Sequence, residues 1–332
     1  MTAPQYAGFV GIDIAAKTFT ATWVPAGPAR PRQIDQTTHG YEVFDRQLRT
    51  ALPDSAPVLV VMEATGSSWI ALAVWLHEHG YHVAVINPAQ IANLSKSLPR
   101  RPKTDPHDSL LLRQFAQERQ PTCWTPPPAV YHELRQRLVA RDALMEMRQQ
   151  ARNQRHALEQ WPVHVVPVLT QFTTIIADFD TRIAELDRAI GQVLADGAWA
   201  TSAALLASIP GVGATTSAWL LVATMNFALC PTPEAAAAYA GLAPMAHESG
   251  TSVRGGSHLG RGGHRRLRTA VYMATLSAAR YNPVIRPFFQ RLRVGGKPFK
   301  VAHCAAARKL VTLAWAVVTK QRPFDPQHGM AA

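Results

Sequence analysis

Cysteine is scarce in this sequence, and its few positions exclude two kinds of stabilisation. The three cysteines, Cys123, Cys230 and Cys304, lie far apart and are odd in number. This spacing matches neither a disulfide framework nor a zinc cluster. The 13 histidines are scattered, and none has the paired spacing of metal ligands. We therefore expect a protein of a reducing, cytoplasmic compartment.

Long apolar runs and acidic residues are also in short supply. No run of about 18 apolar residues is present, so we expect no membrane partner. The chain has 34 Lys and Arg against 22 Asp and Glu, a formal net charge of +12. Seven of those 34 cations are lysine, which leaves 27 arginines, the side chain suited to forked phosphate contacts. A GC-rich genome would also favour arginine, but under either explanation the net charge predicts an acidic partner, with nucleic acid first.

The length and the apolar content predict more than one core. At 332 residues and 47% hydrophobic composition, the chain is expected to form about two domains with a helical linker.

The first 125 residues alternate strand and helix patterns. Two β-rich runs and a weaker third come first, and helices then alternate with two apolar strands. The predicted strands are 9–15, 19–24, 32–37, 57–64 and 81–88, with helices from Gly40, over 68–79 and from Pro106. The order βββαβαβα is typical of an α/β ribonuclease-H-like (RuvC-like) domain.

Residues 126–198 follow a Pro-rich break and have helical spacing. Apolar residues form one stripe before the segment 161–167 and another after it: Leu134, Leu138, Leu144, Ala151 and Leu158, then Phe179, Ile183, Leu186, Ile190 and Val193. The pattern predicts a coiled-coil arm of two helices. Because Arg141, Arg148 and Arg155 interrupt the first stripe, an intramolecular helical hairpin is the alternative.

Residues 199–332 are predicted to be mainly α-helical. The segment "SIPGVG" places Gly211 and Gly213 between helical stretches, as in a helix-hairpin-helix whose backbone amides bind phosphate. A plain turn between two helices is the alternative. Two further helices are expected at about 263–281 and 300–320.

Four carboxylates in the first domain stand out. Asp13 lies inside an apolar strand and Glu63 ends another, and the predicted topology makes these two strands neighbours. Asp105 and Asp108 begin the last helix on one face. Asp105 could simply cap that helix and Asp108 favour its dipole. Together, however, the four acids would repel unless Mg²⁺ (or Mn²⁺) neutralised them, as in a phosphoryl-transfer site.

The segment "GIDIA" also suggests the phosphate loop of actin-like ATPases and sugar kinases. Such loops need Gly, Ser or Thr after the aspartate, whereas Ala15, Ala16 and Lys17 follow Asp13. A second Asp-x-Gly loop is also lacking, which disfavours this class.

Residues 237–274 are rich in Gly, Ser and Arg. The cations Arg254, Arg261, Arg265, Arg266 and Arg268, with His264, would surround a phosphate, and Ser249, Thr251, Ser252 and Ser257 are candidate nucleophiles or phosphate ligands. A solvated basic loop without chemistry is the alternative.

Taken together, the sequence resembles the DEDD-type transposases of the IS-one-ten insertion sequences, the bridge-RNA-guided recombinases. The resemblance rests on "GIDIAAKTF", "VVMEATGS", "VAVINPAQ", "KTDPHDS", "SIPGVG", "YAGLAP" and "ESGTSVRGG", in the order of the family. It implies that Asp13, Glu63, Asp105 and Asp108 bind the metal and that Ser249 is the reactive serine of a C-terminal transposase domain.

The resemblance also implies a mechanism and partners. Ser249 would attack a metal-oriented phosphate of donor or target DNA and form a phosphoserine link, with Arg254 stabilising the pentavalent phosphate. A noncoding bridge RNA would supply sequence specificity, and Arg100, Arg101 and Lys103 would bind phosphate backbones. A dimer or tetramer associated with the bacterial nucleoid is expected. A RuvC-like junction resolvase without the serine step and a protein that only binds nucleic acid are the alternatives.

Overall fold

The computed structural model describes residues 5–24, 31–52, 57–64, 66–88, 90–92, 105–249, 253–260 and 262–327. The side chains of 105–107, 245–249 and 253–258 lie outside the described part, as do Arg100, Arg101, Lys103 and Arg261. The chain divides into two compact units, Met1–Pro126 and Pro127–Ala332.

The first unit combines strands and helices in the predicted order. Its elements are β1 (Gly8–Ile14), β2 (Thr18–Val24), β3 (Arg32–Asp35), α1 (Thr38–Ala51), β4 (Val58–Glu63), α2 (Trp69–Glu78), β5 (His82–Ile86) and α3 (Asp105–Arg119). Thr37 begins α1 as an N-cap, where its hydroxyl accepts a hydrogen bond from the Gly40 amide. The mixed α/β organisation predicted for the first domain is therefore confirmed.

The five strands form one sheet in the order β3-β2-β1-β4-β5. β1, β2 and β3 pair antiparallel, whereas β4 runs parallel to both β1 and β5. Short turns connect the antiparallel strands, and α1 and α2 provide the crossovers that parallel pairing requires. This topology makes β1 and β4 neighbours, as predicted; the assignment to the ribonuclease-H-like fold stays a prediction.

The two faces of the sheet bury different clusters. Val10, Ile12, Val60 and Met62 pack on one face with the apolar sides of α1 and α2. Leu59 and Val61, which alternate with them, pack on the other face with Leu111, Leu112 and Ala116 of α3. Because side chains alternate along a strand, α3 covers the face toward which every odd-numbered residue of β1 and β4 points.

The second unit is mainly helical. Its elements are α4 (Ala129–Leu158), α5 (Val166–Asp196), α6 (Ala200–Ala207), α7 (Ala214–Thr224), α8 (Pro233–Tyr239), β6 (Pro244–Ser249), β7 (Val253–Leu259), α9 (Arg265–Tyr281), α10 (Ile285–Val294) and α11 (Phe299–Thr319). The predicted helices 263–281 and 300–320 correspond to α9 and α11, whereas α8 and α10 were not anticipated.

Helices α4 and α5 pack against each other within the chain as an antiparallel hairpin. Leu134 and Leu138 of α4 and Ile183 and Ile190 of α5 are buried. Ion pairs cross between the helices: Arg141 to Asp187 at 2.5 Å, and Arg148 to Asp180. A step of seven residues up α4 matches a step of seven down α5, so the arginines that interrupt the apolar stripe pair with aspartates of the facing helix. The structure thus contains the intramolecular hairpin; coiled-coil geometry stays a prediction.

Helix α11 lies in the core of the second unit. It is the one described helix long and apolar enough to cross a membrane, but half of its apolar window is buried inside the protein. Ala306, Leu310, Val311 and Ala314 form part of that core. The apolar composition of α11 is thereby explained by packing.

Candidate functional site

Asp13 and Glu63 lie side by side at the carboxyl ends of two parallel strands. Ile12 of β1 pairs with Met62 of β4, so Asp13 and Glu63 come next along the two strands. Both carboxylates are partly buried. Asp13 follows Gly11, and Glu63 follows Val61, by two residues, so both acids point toward the face that α3 covers.

Gly11 and Thr22 position α3 on that face. A Cβ atom at Gly11 would collide with the carbonyl oxygen of Ser109 and the backbone nitrogen of Arg113. The buried Thr22 hydroxyl donates to the same Ser109 carbonyl at 2.8 Å. The backbone of α3 therefore lies directly against β1, two residues from Asp13.

Asp108 immediately precedes Ser109 and is partly buried in the first turn of α3. Because Ser109 is fixed against β1 and β2, Asp108 is held at the same side of the sheet as Asp13 and Glu63. Asp105 is the first residue of α3, and its side chain lies outside the described part. Among the side chains that the structure does describe, no three His, Cys, Asp or Glu form a group that could hold a metal ion.

The donor chemistry of these acids fits Mg²⁺ or Mn²⁺. Carboxylate oxygens are hard ligands, and Mg²⁺ in phosphoryl-transfer sites is commonly bound by one or two carboxylates, several waters and substrate phosphates. The adjacent Asp13 and Glu63, both partly accessible, meet that requirement without a complete protein cage.

The Gly-, Ser- and Arg-rich stretch of the second unit forms a β-hairpin, which corrects its interpretation as a solvated loop. β6 and β7 pair from Pro244–Leu259 to Ser249–Val253, with a register shift between Met245 and His247. Ser249 is thus the last paired residue before the turn and lies at the hairpin tip. Arg254 pairs with Glu248 in the same register. The stretch lacks the β-branched residues that usually indicate strands, and pairing between its own two halves supplies the order instead.

The base of this hairpin is held by backbone contacts. Gly241 before β6 and Gly263 after β7 both have positive φ, and a Cβ on Gly263 would collide with the Gly241 backbone. The Arg268 guanidinium donates to the carbonyl oxygens of Ala240, at 3.3 Å, and of Gly262. The His264 amide donates to the Tyr239 carbonyl at 2.7 Å. Arg268, predicted to bind phosphate, is therefore engaged in joining the two ends of the hairpin.

His264 connects the hairpin base to α9. Its Nδ1 accepts a hydrogen bond from the Leu267 amide at 3.2 Å and so caps the helix. Burial lowers the pKa of His264, and the positive charges of Arg135 and Arg266 lower it further. The ring is accordingly neutral near pH 7, and the acceptor at Nδ1 is retained.

The remaining predicted phosphate ligands occupy different settings. Arg266 forms an ion pair with Asp142 of α4 at 2.5 Å and lies over the Trp219 ring, whereas Arg265 is exposed at the start of α9. Gly211 lies in the turn between α6 and α7 with φ +100, where a Cβ would collide with Ala278. Gly213 is the N-cap of α7. The phosphate-binding roles of these residues stay predictions.

Three positioning residues of the carboxylate site were not anticipated. Gly11 and Thr22 have the roles described above, and Arg113 has a buried Nε without a hydrogen-bond partner among the described residues. The available signal was the spacing of Gly11, two residues before a strand aspartate, which removes a side chain from the same face as the acid.

Comparison with known proteins assigns the class. A family model described as "Transposase" matches residues 10–160, and a second, described as "Transposase IS116/IS110/IS902 family", matches residues 203–290. The pilin gene-inverting protein of Moraxella bovis is 31% identical over 320 residues, covering 96% of this chain and 97% of that protein. The insertion element IS110 43.6 kDa protein of Streptomyces coelicolor is 37% identical over 114 residues, or 34% of this chain and 28% of that protein.

The carboxylate-bearing sheet and the basic hairpin thus lie in a DNA transposase or recombinase of an insertion sequence. More specifically, the chain belongs to the IS110 family of transposases.

Proposed function

We propose that this transposase cuts and exchanges DNA strands through a covalent phosphoserine intermediate formed at Ser249. The observation that carries the proposal is the juxtaposition of Asp13 and Glu63 on adjacent parallel strands, next to Asp108, in a chain of the IS110 family. The tip position of Ser249 supports its role as the nucleophile, because no further paired residue of β6 follows it.

The serine step conserves the phosphodiester bond. Ser249 Oγ attacks the scissile phosphorus, a P–Oγ bond forms, and the P–O bond to one deoxyribose breaks. The released deoxyribose oxygen takes up a proton, and the serine proton passes to a base. Attack by a deoxyribose hydroxyl of another strand reverses these steps, so exchange needs no ATP. Because a serine hydroxyl is a poor nucleophile near neutral pH, it requires activation.

The carboxylates orient the reacting phosphate. Asp13, Glu63, Asp105 and Asp108 would hold Mg²⁺ or Mn²⁺, which stabilises charge on phosphate oxygens. Gly11 and Thr22 fix the α3 acids relative to the strand acids. Arg254 of β7 is proposed to neutralise charge on the pentavalent phosphate.

The resemblance extends the proposal to partners. A noncoding bridge RNA that pairs with donor and target DNA would choose the sites, and two or four copies of the chain would assemble on them. The net charge of +12 supports binding to both nucleic acids, with strong salt dependence.

A covalent-adduct assay tests the proposal. The protein that co-purifies with its RNA is incubated with Mg²⁺ and labelled plasmid carrying the DNA that matches the RNA, and adducts are resolved under denaturing conditions. Wild type should form the adduct, Ser249→Ala should form none, and Ser252→Ala should retain it. An adduct in Ser249→Ala would move the nucleophile elsewhere, and cleavage without any adduct would favour a junction-resolvase mechanism.

The metal role has an independent readout. Mg²⁺ or Mn²⁺ should raise the melting temperature of the wild-type protein, because an ion bound only by the folded state stabilises it. Asp13→Asn should abolish both this shift and strand cleavage. Full cleavage by Asp13→Asn would reduce the acids to structural roles.

A further inference from the structure

The C-terminal part of the chain contains a long region without acidic residues. No Asp or Glu occurs between Glu248 and Asp325, although Lys and Arg recur throughout. Five of these cations lie on α10, the following turn and the first turn of α11: Arg286, Arg291, Arg293, Lys297 and Lys300. We call them the α10–α11 basic surface.

Helix α10 has a polar and an apolar face. Arg286, Gln290 and Arg293 are exposed and follow one another at intervals of four and three residues, which places them on one stripe. Ile285 is buried and Phe289 packs against the core of the second unit. Since the apolar side anchors the helix, the stripe is fixed in orientation toward solvent.

The turn after α10 continues this surface. Arg293 Nη1 donates to the Lys297 carbonyl at 2.6 Å, which orders the turn, and Lys297 and Lys300 are exposed. Arg291 and Lys309 both lie over the Phe288 ring, at 5.4 and 5.0 Å from its centroid. The cations are therefore attached to a packed element.

The charges of this surface are not neutralised by the chain itself. On the arm, Arg137, Arg155 and Arg182 pair with a carboxylate four residues away on the same helix or beside its end. Within the described part of the chain, none of the five cations of the α10–α11 basic surface has a carboxylate within 4.0 Å. Unpaired like charges on one face create a positive potential that attracts a polyanion.

We propose that the α10–α11 basic surface binds the phosphate backbone of duplex DNA. DNA is the polyanion that membership of a transposase family implies, and the proposal rests on that function. Arg286 and Arg293 are about 10 Å apart along the helix axis. One DNA strand presents a phosphate about every 3.4 Å of its axis, so the stripe spans about three phosphates. The surface adds backbone affinity without sequence preference.

The test compares two variants of equal charge. In the first, Arg286, Lys297 and Lys300 are replaced by Gln; in the control, Arg137, Arg155 and Arg182 are replaced by Gln. Binding of full-length protein to a duplex of arbitrary sequence is measured by fluorescence anisotropy from about 50 to about 200 mM salt. The slope of log K against log salt should become shallower by about 2.7 in the first variant, with at least about tenfold weaker binding. The control should stay near wild type, because its cations are already paired.

Further arms make each outcome decisive. Equal effects in the two variants would overturn the proposal, since net charge alone would then explain the loss. Weakened binding of an RNA of the same sequence, with DNA binding unchanged, would also overturn it and assign the surface to RNA. Thermal melts establish that both variants fold. Ser249→Ala should bind DNA with the wild-type slope, so a failure of the serine chemistry can be distinguished from a failure of this surface to bind DNA.

Discussion

Gly11 shows how a residue without a side chain can determine the geometry of a carboxylate site. Its missing Cβ allows the α3 backbone to lie against β1, and the Thr22 hydroxyl holds the Ser109 carbonyl there. The sequence predicted Asp13 and Glu63 as neighbours because strand order alone determines that. The seat of α3 depends on a contact between residues nearly a hundred positions apart, which strand and helix patterns do not encode.

Gly11→Ala should therefore be severely destabilising. The new methyl group would meet backbone atoms, which cannot move aside as a flexible side chain does, so we expect a loss of about 3 kcal/mol or more. Urea denaturation measures this change. The matched control is Gly191→Ala in α5, where an added Cβ meets nothing within 4 Å and should stabilise the helix by about 0.5–1 kcal/mol. Similar midpoints for Gly11→Ala and wild type would show that α3 is not seated on Gly11.

His264 should make the stability of the second unit dependent on pH. Burial, followed by Arg135 and Arg266, holds the pKa of the folded state below 6.5. Below pH 6.5 the unfolded chain therefore binds a proton that the folded chain does not. The contribution of His264 is present above pH 6.5 and is lost as pH falls through the folded pKa. His264→Asn, which keeps an N-cap acceptor, should lose less stability between about pH 7.5 and about pH 5.5 in urea melts. Parallel pH curves for the two proteins would contradict this role.

At the scale of elements, regular hydrophobic periodicity was a good guide and tertiary pairing was not. The helices of the arm and the strands of the first unit occur where their apolar patterns place them. The β6–β7 hairpin was missed because Gly, Ser and Arg give no strand pattern, and its order comes from its own pairing and from the clamp at its base. Arg268 could not be distinguished from phosphate ligands by sequence, since its partners are backbone carbonyls.

The arm provides a graded test of its antiparallel register. Arg141 is only 16% exposed and pairs with Asp187, whereas Arg148 and Arg152 share the more accessible Asp180. Removing Asp187 leaves a largely buried cation without its partner, so Asp187→Ala should cost about 1–3 kcal/mol. Asp180→Ala should cost about 1 kcal/mol or less, as is usual for accessible pairs. Chemical denaturation of both variants decides, and a larger loss for Asp180→Ala would contradict the register.

At the scale of the whole molecule, charge is distributed unevenly between paired and unpaired cations. The arm balances its arginines with its own aspartates and glutamates, and the region from Ser249 to Phe324 contains no acid with which to do so. Composition predicted a polyanionic partner from the net charge, but it could not separate these two populations. Only the positions of the carboxylates show which cations remain available to DNA.

The hairpin that ends at Ser249 has a mechanical consequence. From the pair Pro244–Leu259 to the pair Ser249–Val253, the ribbon is about 17 Å long at 3.3 Å per residue. A lever of that length turns a tilt of about 10° at its base into a displacement of about 3 Å at the serine, the difference between attack and no contact. The glycine-to-glycine approach and the two carbonyl contacts of Arg268 thus act as the bearing of this lever, and its stiffness sets how accurately the serine can be aimed.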